Sequence, residues 1–280
     1  MNEKIIKFGK QNSLFGIITE PEPSQNFACR PCIIILNSGL IHRIGPYRMS
    51  TELARKLSLA GFIVFRFDLP GVGDNISKDS KLTYQQRILQ DISSAMDAIT
   101  KNYDVKRFVA LGNCTGAINS HYIACADDRI CGAVLMDAYF FATFKYWLIR
   151  IKEKSIKSFR ILSLRFTQPK GNIQTQQENN EARELYQEGI DYCKAPTKTE
   201  IRDDLKILMT KDVKMLYIFT GGHMYLYNHV QQHRSAFRSV NFKANMEVCF
   251  LDKMDHIYTL LRDRRYLMDI IVSWMTRKFG

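Results

Sequence analysis

The 280-residue sequence lacks the features that divide a chain into domains or carry it across a membrane. It has no Ser/Gly-rich or Pro-rich tract, no block of like charge between two halves and no internal repeat, so we expect one large core with an insertion. No apolar stretch approaches the roughly 20 residues that span a bilayer. Residues 1–10 are charged and hold no apolar run, which argues against a secretory signal.

The spacing of the cysteines does not indicate disulfide bonds. The seven cysteines, an odd number scattered along the chain, fit reduced thiols in a cytoplasmic protein better than a disulfide framework. Cys29 and Cys32 form a C-x-x-C, but no second pair or nearby histidine supports a metal site. We therefore expect two thiols that lead into a buried strand, no metal ion and no cofactor.

Signatures of nucleic-acid binding are missing as well, although the net charge is +12. There is no zinc finger, no RNA-recognition signature and no Lys/Arg run with interleaved aromatics, so nucleic acid is not an expected partner. The partners that remain for a basic protein are an anionic membrane surface and an acidic or phosphorylated molecule.

The chain does have a regular alternation of strands and helices. Two alternating segments, 4–8 and 14–19, predict an opening hairpin. Apolar runs predict further strands at 31–37, 62–67, 107–111, 131–136, 214–219 and 246–251, and helical spacing predicts helices at 47–60, 84–103, 115–126 and within 257–279. This order predicts an α/β fold, a mostly parallel sheet with helices on both faces, whose catalytic groups lie at the carboxyl ends of the strands.

One motif stands at such a strand end. Gly112-Asn-Cys-Thr-Gly116 follows the strand at 107–111 and leads into the helix at 115–126. The G-x-nucleophile-x-G pattern needs glycines because the nucleophile occupies a strained strand-to-helix turn that leaves no room for bulk two residues away. The turn puts Cys114 at a helix N-terminus, where the dipole and free N–H groups favour the thiolate. A buried structural cysteine at a tight turn is the alternative interpretation.

Over nearly its whole length the chain resembles the α/β hydrolases, and it is most similar to their serine-aminopeptidase-like and exosortase-associated branch. The segments that carry the resemblance are Leu36-Asn-Ser-Gly-Leu-Ile-His-Arg-Ile-Gly-Pro-Tyr-Arg48, Phe67-Asp-Leu-Pro-Gly-Val-Gly-Asp74, the elbow and Asp255-His256. The resemblance implies an α/β-hydrolase fold with a helical lid insertion. Those relatives usually carry serine where this chain has Cys114.

The resemblance also implies the partners of Cys114. In the family, the loop after the last strand carries the histidine base, and here that position is His256, which can reach the elbow from a strand end. The oxyanion hole of the fold uses the N–H after the nucleophile and one after the third strand. By position these are the N–H groups of Thr115 and Leu40.

The acid is missing from its usual place. Relatives keep it after the penultimate strand at a Gly-x-Asp, but residues 220–229 hold neither Asp nor Glu. Asp137, which ends the strand after the elbow helix, is a substitute that some lipases of this fold use, and a solvated or capping carboxylate is the alternative. Asn228 is a second candidate, since Cys–His pairs can use a neutral orienter. Asp255 adjoins His256 and is expected to point away. A cysteine also needs less help from an acid than a serine does.

Residues 138–196 interrupt the strand–helix rhythm, and we predict them to be a lid inserted into a core of residues 1–137 and 197–280. The lid opens with an aromatic run at 139–149, in which Trp147 is a candidate for substrate contact, as are Arg43 and Tyr47 in the loop after the third strand. Capping roles are the alternative for those two. The lid then becomes basic, with Lys145, Arg150, Lys152, Lys154, Lys157, Arg160, Arg165 and Lys170 against only Glu153.

A cationic lid with an apolar underside suits an apolar acyl group on an anionic carrier, either coenzyme A or an acidic acyl carrier protein. Peripheral contact with an anionic membrane is the competing explanation. A merely solvated helix face is the third.

Three functions follow from these features. The first is an acyl-transfer enzyme, a thioesterase or acyltransferase, in which Cys114 attacks an acyl thioester and forms a covalent acyl-enzyme. The second is a carboxylester or lactone hydrolase, because dienelactone hydrolases of this fold also use cysteine. The third is a non-enzymatic binding protein with a degenerate elbow, which the missing acid would favour.

Overall fold

The computed structural model describes residues 2–22, 30–75, 82–165, 196–223 and 226–280, with the backbone alone at 154 and 156–165. The C-x-x-C prediction at Cys29, the lid residue Lys170 and the polar segment 174–184 lie outside the described residues.

Eight strands form a single sheet in the order β1-β2-β4-β3-β5-β6-β7-β8. The strands are β1 Asn2–Phe8, β2 Leu14–Glu20, β3 Cys32–Ile35, β4 Val64–Phe67, β5 Phe108–Asn113, β6 Ile130–Met136, β7 Lys214–Thr220 and β8 Met246–Leu251. β1 pairs with β2 and β2 with β4 antiparallel, and all other neighbours run parallel. The predicted hairpin, the mostly parallel sheet and the α/β class are confirmed.

Seven α-helices occur among the described residues. They are α1 Met49–Leu59, α2 Tyr84–Tyr103, α3 Thr115–Ala126, α4 Phe144–Arg165, α5 Lys198–Thr210, α6 Gln232–Ala236 and α7 Leu261–Phe279. Helix α5 was not predicted, although its start carries a readable signal. Thr197 and Glu200 form a reciprocal capping box, in which each side chain accepts from the other's backbone N–H.

The helices cover both faces of the sheet because its central strands are apolar on both sides. On one face, Ile33 and Ile35 of β3 pack in the same cluster as α1 and α7. On the other face, the alternate residue Ile34 belongs to the cluster that contains α2, α3 and α5. The carboxyl ends of the parallel strands are thus left free of helices, and the loops that follow them build the candidate site.

The predicted lid range begins just after Asp137 and contains α4, which starts eight residues after the last residue of β6. The division into core and lid stays a prediction. Among the described helices, none is both long and apolar enough to cross a membrane.

Candidate active site

Cys114 stands at a strained turn between β5 and α3. Its backbone has φ 55° and ψ −120°, a left-handed φ that a non-glycine residue rarely adopts. The flanking glycines are required by close packing: a Cβ on Gly112 would lie 2.2 Å from the carbonyl carbon of Gly116, and one on Gly116 would lie 2.5 Å from the carbonyl oxygen of Asn37. The backbone therefore has the geometry of a nucleophile elbow.

His256 and Asp137 meet at the carboxyl edge of the sheet. The Nδ1 atom of His256 lies 2.8 Å from Oδ2 of Asp137, although the two residues are 119 positions apart in sequence. Asp137 directly follows β6, its side chain is fully buried, and its backbone also has a left-handed φ of 47°. Since Nδ1 is occupied by Asp137, the other ring nitrogen is the one left for Cys114.

The end of β7 holds the carboxylate in place. The Thr220 backbone N–H donates to Oδ1 of Asp137 at 2.8 Å, and the Thr220 hydroxyl donates to Oδ2 at 2.6 Å. The strand that carries the acid in relatives thus supplies two donors here, while the carboxylate comes from the neighbouring strand. Sequence reasoning did not identify Thr220.

Two glycines let the histidine loop approach the end of β7. A Cβ on Gly221 would lie 1.8 Å from the carbonyl oxygen of Asp252, and one on Gly222 would lie 2.7 Å from the backbone nitrogen of His256. The Gly222 N–H donates to the carbonyl of Met254 at 3.0 Å. The Gly-Gly pair is the signal in the sequence that could have indicated this packing.

His256 is held through both its backbone and its side chain. Asn113 of the elbow donates its amide to the His256 carbonyl at 3.3 Å, and Asp137 is hydrogen-bonded to the His256 ring at 2.8 Å. Burial by itself lowers the pKa of His256, but the interactions with Asp137 and Cys114 raise it to about 9. At neutral pH the ring is therefore a positively charged imidazolium.

A second histidine, also missed by sequence reasoning, packs against the first. The ring centroids of His223 and His256 are 4.4 Å apart in an edge-to-face arrangement, and His223 also contacts Phe140 at 5.1 Å. Burial and the positive charge of His256 lower the pKa of His223, against a smaller opposite effect of Asp137. His223 is thus neutral where His256 is charged. It closes the side of the site next to the segment that leads into α4.

The predicted oxyanion loop lies against the elbow. The Gly39 N–H donates to Oγ1 of Thr115 at 2.6 Å, which ties the turn after β3 to the first residue of α3. The N–H of Thr115 is at the first position of a helix, so no intrahelical acceptor is available to it. Leu40, the other predicted donor, is 62% exposed. The two segments named in the prediction are adjacent; their function as an oxyanion hole stays a prediction.

Arg43, a predicted substrate contact, has its guanidinium paired with two carboxylates of the protein itself. Its guanidinium and backbone N–H both donate to the fully buried carboxylate of Asp68, and the guanidinium also pairs with Asp74 at 3.0 Å. It stacks on the ring of Phe15 at 4.8 Å. These contacts occupy the charged group, so the side chain anchors the loop after β3.

The remaining candidates lie around the site. Tyr47 is half exposed beneath the guanidinium of Arg264, 5.0 Å from the ring centroid. Trp147 is 57% exposed on α4. Asn228 donates its amide to the Tyr146 carbonyl at 3.2 Å, so the contact with His256 Nδ1 belongs to Asp137.

Asp255 behaves as expected of a residue that points away from the site. Its carboxylate accepts hydrogen bonds from the backbone N–H groups of Ile257 and Thr259 and caps that turn.

Asp137, His223 and His256 also have potential metal-ligand atoms within 4.8 Å of one another. However, both oxygens of Asp137 already accept hydrogen bonds from Thr220, and Oδ2 is bound to His256 as well. A cation would have to displace these donors. The structure thus shows a hydrogen-bonded Asp137–His256 pair at the same edge of the sheet as the elbow that carries Cys114.

Comparisons with known proteins bear on the fold and the family of the chain. Among solved structures, the chain is similar to an esterase from Pyrococcus furiosus (TM-score 0.65, 14% identity, covering 100% of this chain and 92% of that one). It is also similar to the esterase domain of a Rhodothermus marinus protein (0.58, 13%, 99% and 99%) and to the α/β hydrolase GrgF from Penicillium sp. sh18 (0.60, 14%, 100% and 99%). Among curated proteins, none matches in sequence.

At these identities the solved structures establish the fold alone. The sequence itself matches the family described as serine aminopeptidase, S33, over residues 31–211, which includes the elbow and Asp137. The resemblance stated from the motifs is confirmed, and the chain belongs to this family of α/β hydrolases.

Proposed function

We propose that the protein is a cysteine-nucleophile acyl-transfer enzyme, a thioesterase or acyltransferase that acts on an acyl thioester through a covalent acyl-enzyme. The observation that carries the proposal is the position of His256, which is hydrogen-bonded to Asp137 and interacts with Cys114 at the elbow. An imidazole that is oriented by a carboxylate and lies beside a cysteine is the arrangement that activates a thiol to attack a carbonyl carbon.

In the first half of the reaction, the Cys114 thiolate attacks the thioester carbonyl carbon. The N–H groups of Thr115 and Leu40 stabilise the oxyanion. The substrate C–S bond then breaks, and the departing thiolate takes the proton of the His256 imidazolium. In the second half, neutral His256 accepts a proton from water or another acceptor as it attacks the acyl group, and the Cys114 thiolate is released.

Thioesters are favoured because exchange of one thioester for another is nearly isoenergetic, which suits a cysteine nucleophile. Helix α4 supports the rest of the substrate. Its outward face carries four apolar side chains that are at least half exposed, Phe144, Trp147, Leu148 and Ile151, with the exposed Lys145 and Lys152 along one side of them. An apolar surface bordered by cations suits an acyl chain on an anionic carrier, coenzyme A or an acidic carrier protein.

The test is to mix the protein with a panel of acyl-coenzyme A thioesters and record the intact-protein mass. We expect an increase by one acyl group that maps to Cys114, is absent from Cys114→Ala and persists in Cys131→Ala, a half-buried cysteine on β6. An acyl mass on Cys114→Ala, or full turnover by that variant on every donor, would contradict the proposal.

An ester or lactone hydrolase is the second candidate. It is favoured by the completeness of the acid–base pair, because Asp137 accepts from both the backbone and the hydroxyl of Thr220. Such support for the base matters more for an oxygen leaving group than for sulfur. Matched oxygen esters and thioesters of one acyl group separate the two, and a strong preference for the oxygen ester would favour the second.

The outward face of α4 also bears on the membrane alternative. Cosedimentation with anionic and with zwitterionic phospholipid vesicles distinguishes the two explanations. Binding to anionic vesicles alone, lost in Trp147→Ser together with Leu148→Ser, would assign the face to a membrane. If those substitutions instead raise KM for long-chain thioesters and vesicles do not bind, the face serves the substrate.

A further inference from the structure

A second cluster of ionisable side chains joins α3 to α5. His121 and Cys125 are one helical turn apart on α3 and so share a face of that helix. The Nε2 atom of His121 lies 3.0 Å from Oδ2 of Asp204 on α5 and 3.9 Å from Sγ of Cys125. The three potential ligand atoms lie within 4.8 Å of one another.

Two tyrosines complete the surroundings of His121. The hydroxyl of Tyr139 lies 2.6 Å from the hydroxyl of Tyr217, which in turn lies 3.8 Å from the sulfur of Met215. The Tyr139 oxygen is also 3.3 Å from Nδ1 of His121. Nδ1 therefore has a hydrogen-bond partner of its own, and Nε2 is the ring nitrogen that faces Asp204 and Cys125.

Nε2 faces two further electron-rich atoms, the Asp204 carboxylate oxygen at 3.0 Å and the Cys125 sulfur at 3.9 Å. A proton on Nε2 would serve only one of these two atoms, whereas a cation between them would serve all three. We propose that His121, Cys125 and Asp204 form a binding site for a divalent metal ion of the zinc class.

The donor set and the spacing fit such an ion. Zinc takes imidazole nitrogen at about 2.0 Å, thiolate sulfur at about 2.3 Å and carboxylate oxygen at about 2.1 Å, so a tetrahedral site has N···S near 3.5 Å and N···O near 3.3 Å. The observed distances of 3.9 and 3.0 Å differ from these by only a few tenths of an ångström. One thiolate and one carboxylate also neutralise the charge of the ion.

The surroundings of the cluster provide a hydrogen-bond partner for His121 and one side that is open to solvent. The hydrogen bond between His121 Nδ1 and the Tyr139 hydroxyl is the kind of contact that orients a metal-bound histidine. His121 is fully buried, whereas the Asp204 side chain is 26% exposed, which leaves one side open to the ion and to a fourth ligand from water. Lys211 binds the carbonyls of Ala124 and Cys125 and pairs with Asp128.

The ion would link α3, the helix that follows the nucleophile, to α5. Helix α3 begins at Thr115, directly after Cys114, and the cluster lies in the second half of that helix. Binding exchanges the thiol proton of Cys125 for the metal ion and releases that proton to solvent. Because the ligands come from two helices, the ion stabilises the folded chain and not a separate segment.

The test uses the full chain, stripped with a chelator and titrated with Zn²⁺ alone. We expect one equivalent to bind and to raise Tm, with at least tenfold weaker binding in Asp204→Asn and in Cys125→Ser. With Co²⁺ as the probe, a thiolate-to-cobalt charge-transfer band should appear and be absent from Cys125→Ser. Cys131→Ser is the matched control for the sulfur, and His223→Asn tests the other histidine cluster.

Binding that is weakened by His223→Asn but unaffected by Asp204→Asn and Cys125→Ser would overturn the proposal, because the ion would then lie at the candidate active site. Failure to bind one equivalent would overturn it as well and leave a hydrogen-bonded His–Asp pair. Both key substitutions are nearly isosteric. The Tm of each metal-free variant checks that the chain is still folded.

Discussion

The two histidine clusters contain the same kinds of side chain in different arrangements. At the candidate active site, the Asp137 carboxylate is on Nδ1 of His256, which leaves the opposite side of the ring for Cys114. At the second cluster, the Asp204 carboxylate and the Cys125 sulfur both approach Nε2 of His121. Cysteine, histidine and aspartate are present in both, so residue type alone does not distinguish them.

What distinguishes the clusters is the use of the two ring nitrogens. A ring that is oriented by an acid on one side and faces a sulfur on the other can exchange a proton with the reacting groups, which is the requirement of catalysis. A ring whose second nitrogen is fixed by a tyrosine, with both remaining groups on one atom, has the geometry of a ligand. The backbone agrees, because Cys114 is at a strained turn and Cys125 is within a regular helix.

The largest effect on the acylation rate is expected from Asp137→Asn, a substitution at the candidate active site. The amide cannot stabilise the imidazolium and favours the wrong tautomer of His256, so we expect acylation to slow by about 10³-fold, somewhat less than the loss known for serine enzymes because a thiol needs less help. The measurement is single-turnover release of thiol from an acyl-coenzyme A. A loss below tenfold would mean that Cys114 acts without an acid.

The pH dependence of acylation is the next largest effect. Because the hydrogen bonds and charges of Asp137 and Cys114 raise the pKa of His256 to about 9, the imidazolium persists below that pH and is lost above it. The rate of thiol release should therefore fall about tenfold per pH unit above about 9. In Asp137→Asn this falling limb should move to lower pH. If the rate of thiol release still declines only above about pH 9 in that variant, the group responsible for the decline is not His256.

A smaller effect is expected from Thr220→Val. The valine keeps the shape of threonine and the backbone donor to Asp137 but removes the hydroxyl donor at 2.6 Å. A hydrogen bond to a charged group contributes about 1.5–3 kcal/mol, so we expect a loss of acylation rate of roughly 10- to 150-fold.

The matched control for that variant is Thr51→Val on α1, whose buried hydroxyl has no hydrogen-bond partner among the described residues. It should leave the acylation rate unchanged. If the two valine variants behave alike, Thr220 has no specific role in holding the carboxylate.

Much of the candidate active site could be predicted from the sequence. The elbow is local, because five consecutive residues between a strand and a helix define it. The position of His256 followed from the family resemblance, and Asp137 was named because it ends a strand next to the elbow. Thr220 was not found, since a threonine at a strand end has no signature until the facing carboxylate is known.

The second cluster was hidden for a different reason. The i, i+4 spacing of His121 and Cys125 lies within a predicted helix, but the third member, Asp204, is on a helix that was not predicted. The Thr197–Glu200 capping box indicated that helix, yet neither the pairing of α5 with α3 nor the tyrosine contact with His121 is a local property. Long-range packing decides which side of a ring a carboxylate meets.

The smallest expected effect on activity, Asp204→Asn, is also the sharpest test of the comparison, because it is the same substitution as Asp137→Asn. We expect metal-free Asp204→Asn to acylate within twofold of the unsubstituted chain and to lose about 1–2 kcal/mol of unfolding free energy, the contribution of a charged hydrogen bond to a buried ring. Denaturant unfolding and thiol release measure the two quantities. A rate loss as large as that of Asp137→Asn would show that the clusters are coupled through α3.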